Sequence, residues 1–381
     1  VLVSLPLAAA TTIEDGVASR FNLEIISRAP LTLIGRRIVR LRIPDRRSVP
    51  QVLAALRQTT DVTAPQPNFV YYKQGDGAAK PSFPMQYALD KLGALDAHDL
   101  AKGTGAVIAV IDSGIDKTHG DLKGRVIADL DTVAADARKP RDPKDELSDS
   151  HGTGVAGVIA ADGVTRGIAP AAKLLNARAF VRRKGKSKTT ALSTTFRVLS
   201  SLDWSIGEGA RVLNMSFVGP KDGFVAEAVK AAQAKRAILV AAAGNNGPKA
   251  KPAYPAAYPG VLAVTATDAG DALYTKANNG GYVAFAAPGV DVFVPSLKNA
   301  FRVESGTSFA AAYVSGILAL MLERQPDLTG AEARAVLEET ALDLGKPGHD
   351  PLYGAGRVSA AKALAELDAI RKRVATLSSG D

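Results

Sequence analysis

The chain has 381 residues, 46% hydrophobic and 22% charged, with a net charge of +9 and no cysteine. This is a globular composition with room for one large domain and a small one, which excludes a disordered or fibrous chain. The lack of cysteine excludes disulfides, thiolate catalysis and Cys-ligated zinc, and no apolar run reaches the roughly 18 residues that span a bilayer. Part of the charge lies in runs at Arg36-Arg37, Arg46-Arg47 and Arg182-Arg183-Lys184. No nucleic-acid motif accompanies them, so they read as solvated faces and nucleic acid is not an expected partner.

In chain order, Val1 to Leu5 reads as a strand whose upstream sequence is not in view. It is not read as the end of a signal peptide, because it lacks a basic n-region. Ile13, Val17 and Phe21 recur at helical spacing. Arg37 to Ile43 alternates as a half-buried strand. Ser48 starts a helix with Pro50 in its first turn, and Val52, Leu53 and Leu56 form its apolar face. A last strand, interrupted by prolines, lies within Val62 to Tyr72. The expected order for residues 1–73 is β-α-β-β-α-β, a ferredoxin-like unit. Residues 74–84 are rich in Gly, Ala, Pro and Lys and read as an exposed linker, easily cut.

From residue 85 the pattern changes. Short, continuously apolar strands are expected at 107–111, 173–178, 212–215, 237–240 and 261–265. Helices are expected at 152–161, 192–208, 224–235, 308–323 and 330–340. Such strands belong to an α/β fold with a mostly parallel sheet between helices, whose active site lies at the C-terminal ends of the strands. Residues 367–381 read as a polar tail that frays.

Chemistry-bearing residues fall at those strand ends and helix starts. Asp112 closes the strand 107–111, where a buried carboxylate needs a partner or serves as a loop cap. His151, one of only four histidines, opens HGTGVAG, whose glycines allow close backbone approach. Ser308 sits at the start of an apolar helix in GTSFA. It is either an N-cap or a hydroxyl projecting into a cleft. Ala310 breaks the G-x-S-x-G pattern, which argues against an α/β-hydrolase. Asn245 lies in AAAGNNG, a turn or the source of an amide donor beside a nucleophile.

The order Asp112, His151, Ser308, with an Asn between the last two, is that of the subtilisins. Residues 85–366 resemble the catalytic domain of the subtilase family through VIAVIDSGID, HGTGVAGVIA, VLNMS, AAAGNNG, YPAAYPGVLAV, APGV, SGTSFAAAYVSG and GAGRVSAAKAL. The resemblance implies a serine endopeptidase with Ser308 as nucleophile, His151 as base and acid, and Asp112 orienting the imidazole. It further implies Asn245 and the Ser308 N–H as the oxyanion hole. Ser216, Phe217, Val218 and Gly244 would line the substrate site. Residues 1–73 are similar to a subtilase propeptide through RIVRLRIPD and VLAALRQTTDVTAPQPNFVYY. That implies a self-processing zymogen whose own N-terminal segment is chaperone and inhibitor, with cleavage within 72–84. The expected partner is a peptide or protein substrate, the enzyme a secreted or periplasmic monomer. The alternatives are a catalytically silent scaffold, or a binding module permanently sealed by its N-terminal unit.

This chain departs from the family at three places. Phe309 follows the nucleophile where Met is usual, which resists oxidation and is expected to narrow the leaving-group side. Val218 replaces a glycine and is expected to reshape a specificity pocket, and Ala312 replaces a proline. The resemblance also implies a strong calcium site built on Asp121 and on a long loop after HGTGVAG. Here the loop Ala161–Gly167 is short, and Arg166 stands where ligating oxygens are needed. No cofactor is therefore expected, and at most a weak calcium site.

Overall fold

The computed structural model describes residues 1–45, 47–73, 86–135, 149–184 and 189–378. The linker expected over 74–84 and residues 185–188, beside the basic run, lie outside these.

The N-terminal unit runs β1 (Leu2–Pro6), α1 (Thr11–Arg20), β2 (Glu24–Leu31), β3 (Arg36–Arg42), α2 (Val49–Leu56) and β4 (Thr63–Gln66). Its sheet has the order β2-β3-β1-β4, with all neighbours antiparallel. Ser48 and Gln51 form a capping box that starts α2, with a proline in its first turn. The strands alternate as sheet geometry requires. Val3, Leu5, Val39 and Leu41 pack under α1 and α2, while Leu2, Leu31 and Ile38 join the core of the large domain. Two cations of the basic runs are paired: Arg37 with the buried Glu14 at 2.9 Å, and the more exposed Arg36 with Glu227 at 3.0 Å.

The chain continues through β5 (Val70–Lys73), α3 (Tyr87–Leu92), α4 (Ala94–His98), β6 (Val107–Asp112), β7 (Val126–Asp131) and α5 (Thr132–Ala135). Next come α6 (His151–Ala160), β8 (Lys173–Arg178), β9 (Val181–Lys184), β10 (Thr189–Thr194), α7 (Thr195–Gly207), β11 (Val212–Met215) and β12 (Phe217–Val218). Then follow α8 (Gly223–Ala234), β13 (Ile238–Ala242), β14 (Leu262–Thr267), β15 (Val283–Pro288), β16 (Val292–Pro295) and β17 (Phe301–Glu304). The last elements are α9 (Thr307–Arg324), α10 (Gly330–Thr340) and α11 (Ala360–Ser378).

Seven of these strands form one parallel sheet, ordered β15-β14-β13-β11-β6-β8-β7. Both faces are covered. Ile108 and Val110 of β6 point into a core with α6, α9 and α11, and Ala109 and Ile111 into a core with α7 and α8. Every residue of α9 from Thr307 to Leu322 is buried, so this helix runs through the centre of the molecule. Among the described residues no helix is long and apolar enough to cross a membrane.

The structure differs from the sequence reading in several elements; β15, a buried strand of the parallel sheet, was not expected. The expected last strand of the N-terminal unit is two strands, and β5 belongs to a different sheet from β4. Pro67, directly after β4, lies between them and cannot donate to a ladder. A further sheet strand, β7, precedes α6 with a half-polar sequence that hid it. The tail expected to fray from residue 367 is helical to Ser378. Leu367 is buried in the core and the Arg371 guanidinium donates to the Arg324 carbonyl at 2.9 Å. Leu367→Ala should therefore cost about 2–4 kcal/mol in urea unfolding of the full chain. A fraying tail would give no change.

Candidate active site

Asp112 is the last residue of β6, which lies inside the sheet between β11 and β8. His151 is the first residue of α6. The His151 Nδ1 lies 2.9 Å from each Asp112 carboxylate oxygen, and both side chains are buried. A buried carboxylate needs such a partner. It also accepts the Ser113 N–H at 2.7 Å. The His151 backbone N–H donates to the Asp149 carboxylate at 3.0 Å, which fixes the helix start. Two glycines let the helix come this close. A Cβ on Gly152 would lie 2.5 Å from the Gly114 carbonyl oxygen, and one on Gly157 would strike Pro295. With Nδ1–H given to Asp112, Nε2 is the basic nitrogen. It is buried and makes no hydrogen bond among the described residues.

Ser308 is the second residue of α9. Its hydroxyl donates to the Ser216 carbonyl at 3.4 Å, and the Ser216 hydroxyl donates to the Ser308 carbonyl at 3.2 Å. The Asn214 amide donates to that Ser216 hydroxyl at 2.9 Å, and the Ser315 hydroxyl donates to the Asn214 Oδ1 at 3.0 Å. This chain ties the end of β11 to α9. Asn245 reaches the same helix end: its Oδ1 accepts the Thr307 N–H at 3.1 Å and the Thr307 hydroxyl at 2.8 Å. With Oδ1 so engaged, the amide NH₂ is turned the other way. Gly244 precedes it at φ +113°, and a Cβ there would lie 2.4 Å from the Asn278 Nδ2.

The sequence-predicted residues therefore fall into two groups. Asp112 and His151 touch directly, and Ser308, Asn245, Ser216 and Gly244 gather at the start of α9. Phe309 joins the groups, its ring 5.5 Å from the His151 ring. That ring is buried in the core, against Gly154 of α6. It was expected to narrow the leaving-group side; the structure shows it packed beside the histidine ring.

The segment Ser216-Phe217-Val218 does more than line a pocket. Phe217 and Val218 pair antiparallel with Lys73 and Tyr72 of β5, and the other edge of β5 pairs with β10. The last strand of the N-terminal unit is thus held between two strands of the large domain, in the order β12-β5-β10-β9. Tyr71 of that strand is fully buried, edge-on to Phe217 with ring centres 5.6 Å apart. It stands over Gly219, where a Cβ would lie 2.3 Å from its ring. Burial, then the nearby Asp222 carboxylate, pushes the Tyr71 phenol well above the usual tyrosine range, so it stays neutral. Asp222 caps α8 and accepts from the Thr195 hydroxyl at 2.6 Å and the Gln66 amide at 2.8 Å. Sequence reasoning missed this pocket. The aspartate before an apolar helix was a readable cap, but nothing local pairs it with residue 71.

A model of the subtilase family matches residues 103–356. Thermitase of Thermoactinomyces vulgaris is 33% identical over 285 residues, 73% of this chain and 95% of that protein. A thermophilic serine proteinase of Bacillus sp. (strain AK1) is 33% identical over 323 residues, 81% of this chain and 74% of that protein. The minor extracellular protease Epr of Bacillus subtilis (strain 168) is 33% identical over 261 residues, 67% of this chain and 38% of that protein. The crystal structure of fervidolysin from Fervidobacterium pennivorans superposes with a TM-score of 0.76 at 24% identity, over 96% of this chain and 60% of that one. The chain is a member of the subtilase family of serine proteases, with a subtilisin-like fold. Gly152→Ala should move α6 away from Gly114 and lower the rate of peptide hydrolysis roughly 100-fold, with little change in KM. Steady-state kinetics on a peptide substrate checks this.

Proposed function

We propose that this chain is the zymogen of a serine endopeptidase that processes itself. The observation that carries the reading is the place of β5. The N-terminal unit ends in an extended strand paired with Phe217 and Val218, and that segment begins at Ser216, whose carbonyl accepts the Ser308 hydroxyl. An extended peptide paired with the edge of a cleft is how proteases hold substrates. The chain thus enters its own cleft as a substrate would. The cleavage segment expected within 72–84 lies mostly outside the described residues.

The chemistry follows from the geometry. Asp112 holds the His151 ring by Nδ1–H and leaves Nε2 to take the Ser308 proton as Oγ attacks the carbonyl carbon. The charge that develops on the carbonyl oxygen is met by the Asn245 amide and the Ser308 N–H at the start of α9, where the helix dipole favours it. His151 then returns the proton to the leaving amine. Water repeats the sequence on the acyl-enzyme. Nε2 makes no hydrogen bond among the described residues, and catalytic hydrogen bonds of this kind often tighten only in the reacting complex.

The peptide that replaces β5 after processing would use the Tyr71 pocket, so the enzyme prefers an aromatic side chain there. Secretion is proposed from the extracellular relative and from the zymogen organisation. A second reading, a module permanently sealed by its N-terminal unit, is favoured by how deeply Tyr71 is buried.

Incubating the full chain beside its Ser308→Ala variant separates the two readings. Loss of about the first 75 residues from the parent alone, followed by fluorophosphonate labelling, supports the zymogen. An intact, unlabelled parent supports the sealed module, and absence of labelling after the unit is removed by another protease defeats catalysis altogether. With the processed enzyme, a peptide of residues 66–80 should be cut. Tyr71→Ala in that peptide should lower kcat/KM roughly 30-fold, the loss of a buried aromatic anchor.

A further inference from the structure

The family resemblance implies a calcium ion held by the carboxylate at Asp121 and by the loop after α6. The residues present do not fit one. Asp121 is buried. One of its carboxylate oxygens accepts the Val164 N–H at 2.9 Å, and the other accepts the Thr165 N–H at 2.7 Å and the Thr165 hydroxyl at 2.6 Å. A cation would have to replace these donors, and calcium needs 6–8 oxygen ligands. Among the described residues no three His, Asp or Glu side chains gather to hold a metal.

The loop itself is complete without an ion. The Asp162 N–H donates to the Asp121 carbonyl at 2.9 Å and the Gly163 N–H to the Thr165 carbonyl at 3.1 Å. The Arg166 N–H donates to the Gln86 Oε1 at 3.1 Å, and the Gln86 amide donates back to the Arg166 carbonyl at 2.8 Å. The Gly167 N–H closes onto the Ala161 carbonyl at 2.8 Å. Every backbone N–H from 162 to 167 therefore has a protein acceptor, so the donors of the loop are all paired without an ion. Gly163 permits it, because a Cβ there would lie 2.4 Å from the Asp121 Oδ1. Arg125 adds an ion pair to Asp162 at 2.7 Å.

We propose that Asp121 and the loop Asp162–Gly167 form a hydrogen-bonded lock that does the work of the family's cation. It ties the loop after β6 to the C-terminal end of α6, the helix that carries His151. The lock makes this end of the molecule indifferent to calcium and to chelators.

The test is thermal unfolding of the full chain bearing Ser308→Ala, in calcium and in EDTA, with Asp121→Asn and Thr165→Val added in turn. The two parent curves should coincide. Asp121→Asn should lower the midpoint by roughly 5 °C or more, equally in both solutions, and Thr165→Val by roughly 2–4 °C. A parent midpoint that rises with calcium, with the rise lost in Asp121→Asn, overturns the proposal. So does an unchanged midpoint for Asp121→Asn in EDTA. A calcium rise that survives Asp121→Asn marks an ion elsewhere and leaves the lock standing. If Asp121→Asn does not fold, Thr165→Val decides: a fall in EDTA supports the lock, and no fall beside a calcium-stabilised parent overturns it.

Discussion

The hydrogen bond from the His151 ring to Asp112 joins the start of one helix to the end of one strand, and both partners are buried. A buried carboxylate and a buried imidazole are costly unless they meet. Their meeting therefore sets how closely α6 must approach the sheet. Gly152 against Gly114 and Gly157 against Pro295 are the contacts that permit the approach. Asp149 caps the same helix end through the His151 N–H, and Phe309 backs the imidazole from α9. A larger residue at any of these points would move the ring before it changed any chemical group.

The other end of α6 is held by the Asp121 loop, so the helix is fixed at both termini by carboxylates on the segments that follow β6 and precede His151. In a chain without disulfides, rigidity of this kind has to come from packing and from fully paired polar groups. The same logic governs α9. Its first turn is tied through Thr307 to Asn245 and through Ser308 to Ser216. The hydroxyl at its start is placed by two neighbouring loops as well as by its own helix.

Docking of the N-terminal unit combines three kinds of contact. The apolar residues Leu2, Leu31, Leu33 and Ile38 share a core with α7 and α8, and this burial supplies most of the attraction. Around it, the Leu33 N–H donates to Asp203 at 2.5 Å and Arg36 pairs with Glu227 at 3.0 Å. Exposed ion pairs of that sort add little energy and serve to fix register. At the cleft the contact is of a third kind, backbone pairing along β5, which any extended peptide reproduces. The unit is therefore held by a surface specific to it, and its last strand by backbone pairing that is not.

The sequence displayed the core strands because they are buried on both faces and read as continuous apolar runs, as in Val107 to Ile111 and Val212 to Met215. Asp112, His151, Asn245 and Ser308 were legible because each sits where a regular element begins or ends, framed by glycines or small residues. What stayed hidden depends on distant partners. β7 carries Asp129 and Asp131, which make it look like a loop until Asn176 donates to one at 2.8 Å and Arg178 to the other at 3.1 Å. The helix through Leu367 and Ile370 looked like a tail because its polar residues outnumber its anchors, and two apolar side chains on the inner face suffice to seat it. Tyr71 carried no local sign of importance. Its role comes from a glycine at 219 and an aspartate at 222, and only the fold brings those residues to one place. The candidate catalytic groups are thus read from local frames, while the pocket around Tyr71 is read from long-range neighbours. That is why this pocket is found on the structure and not in motifs.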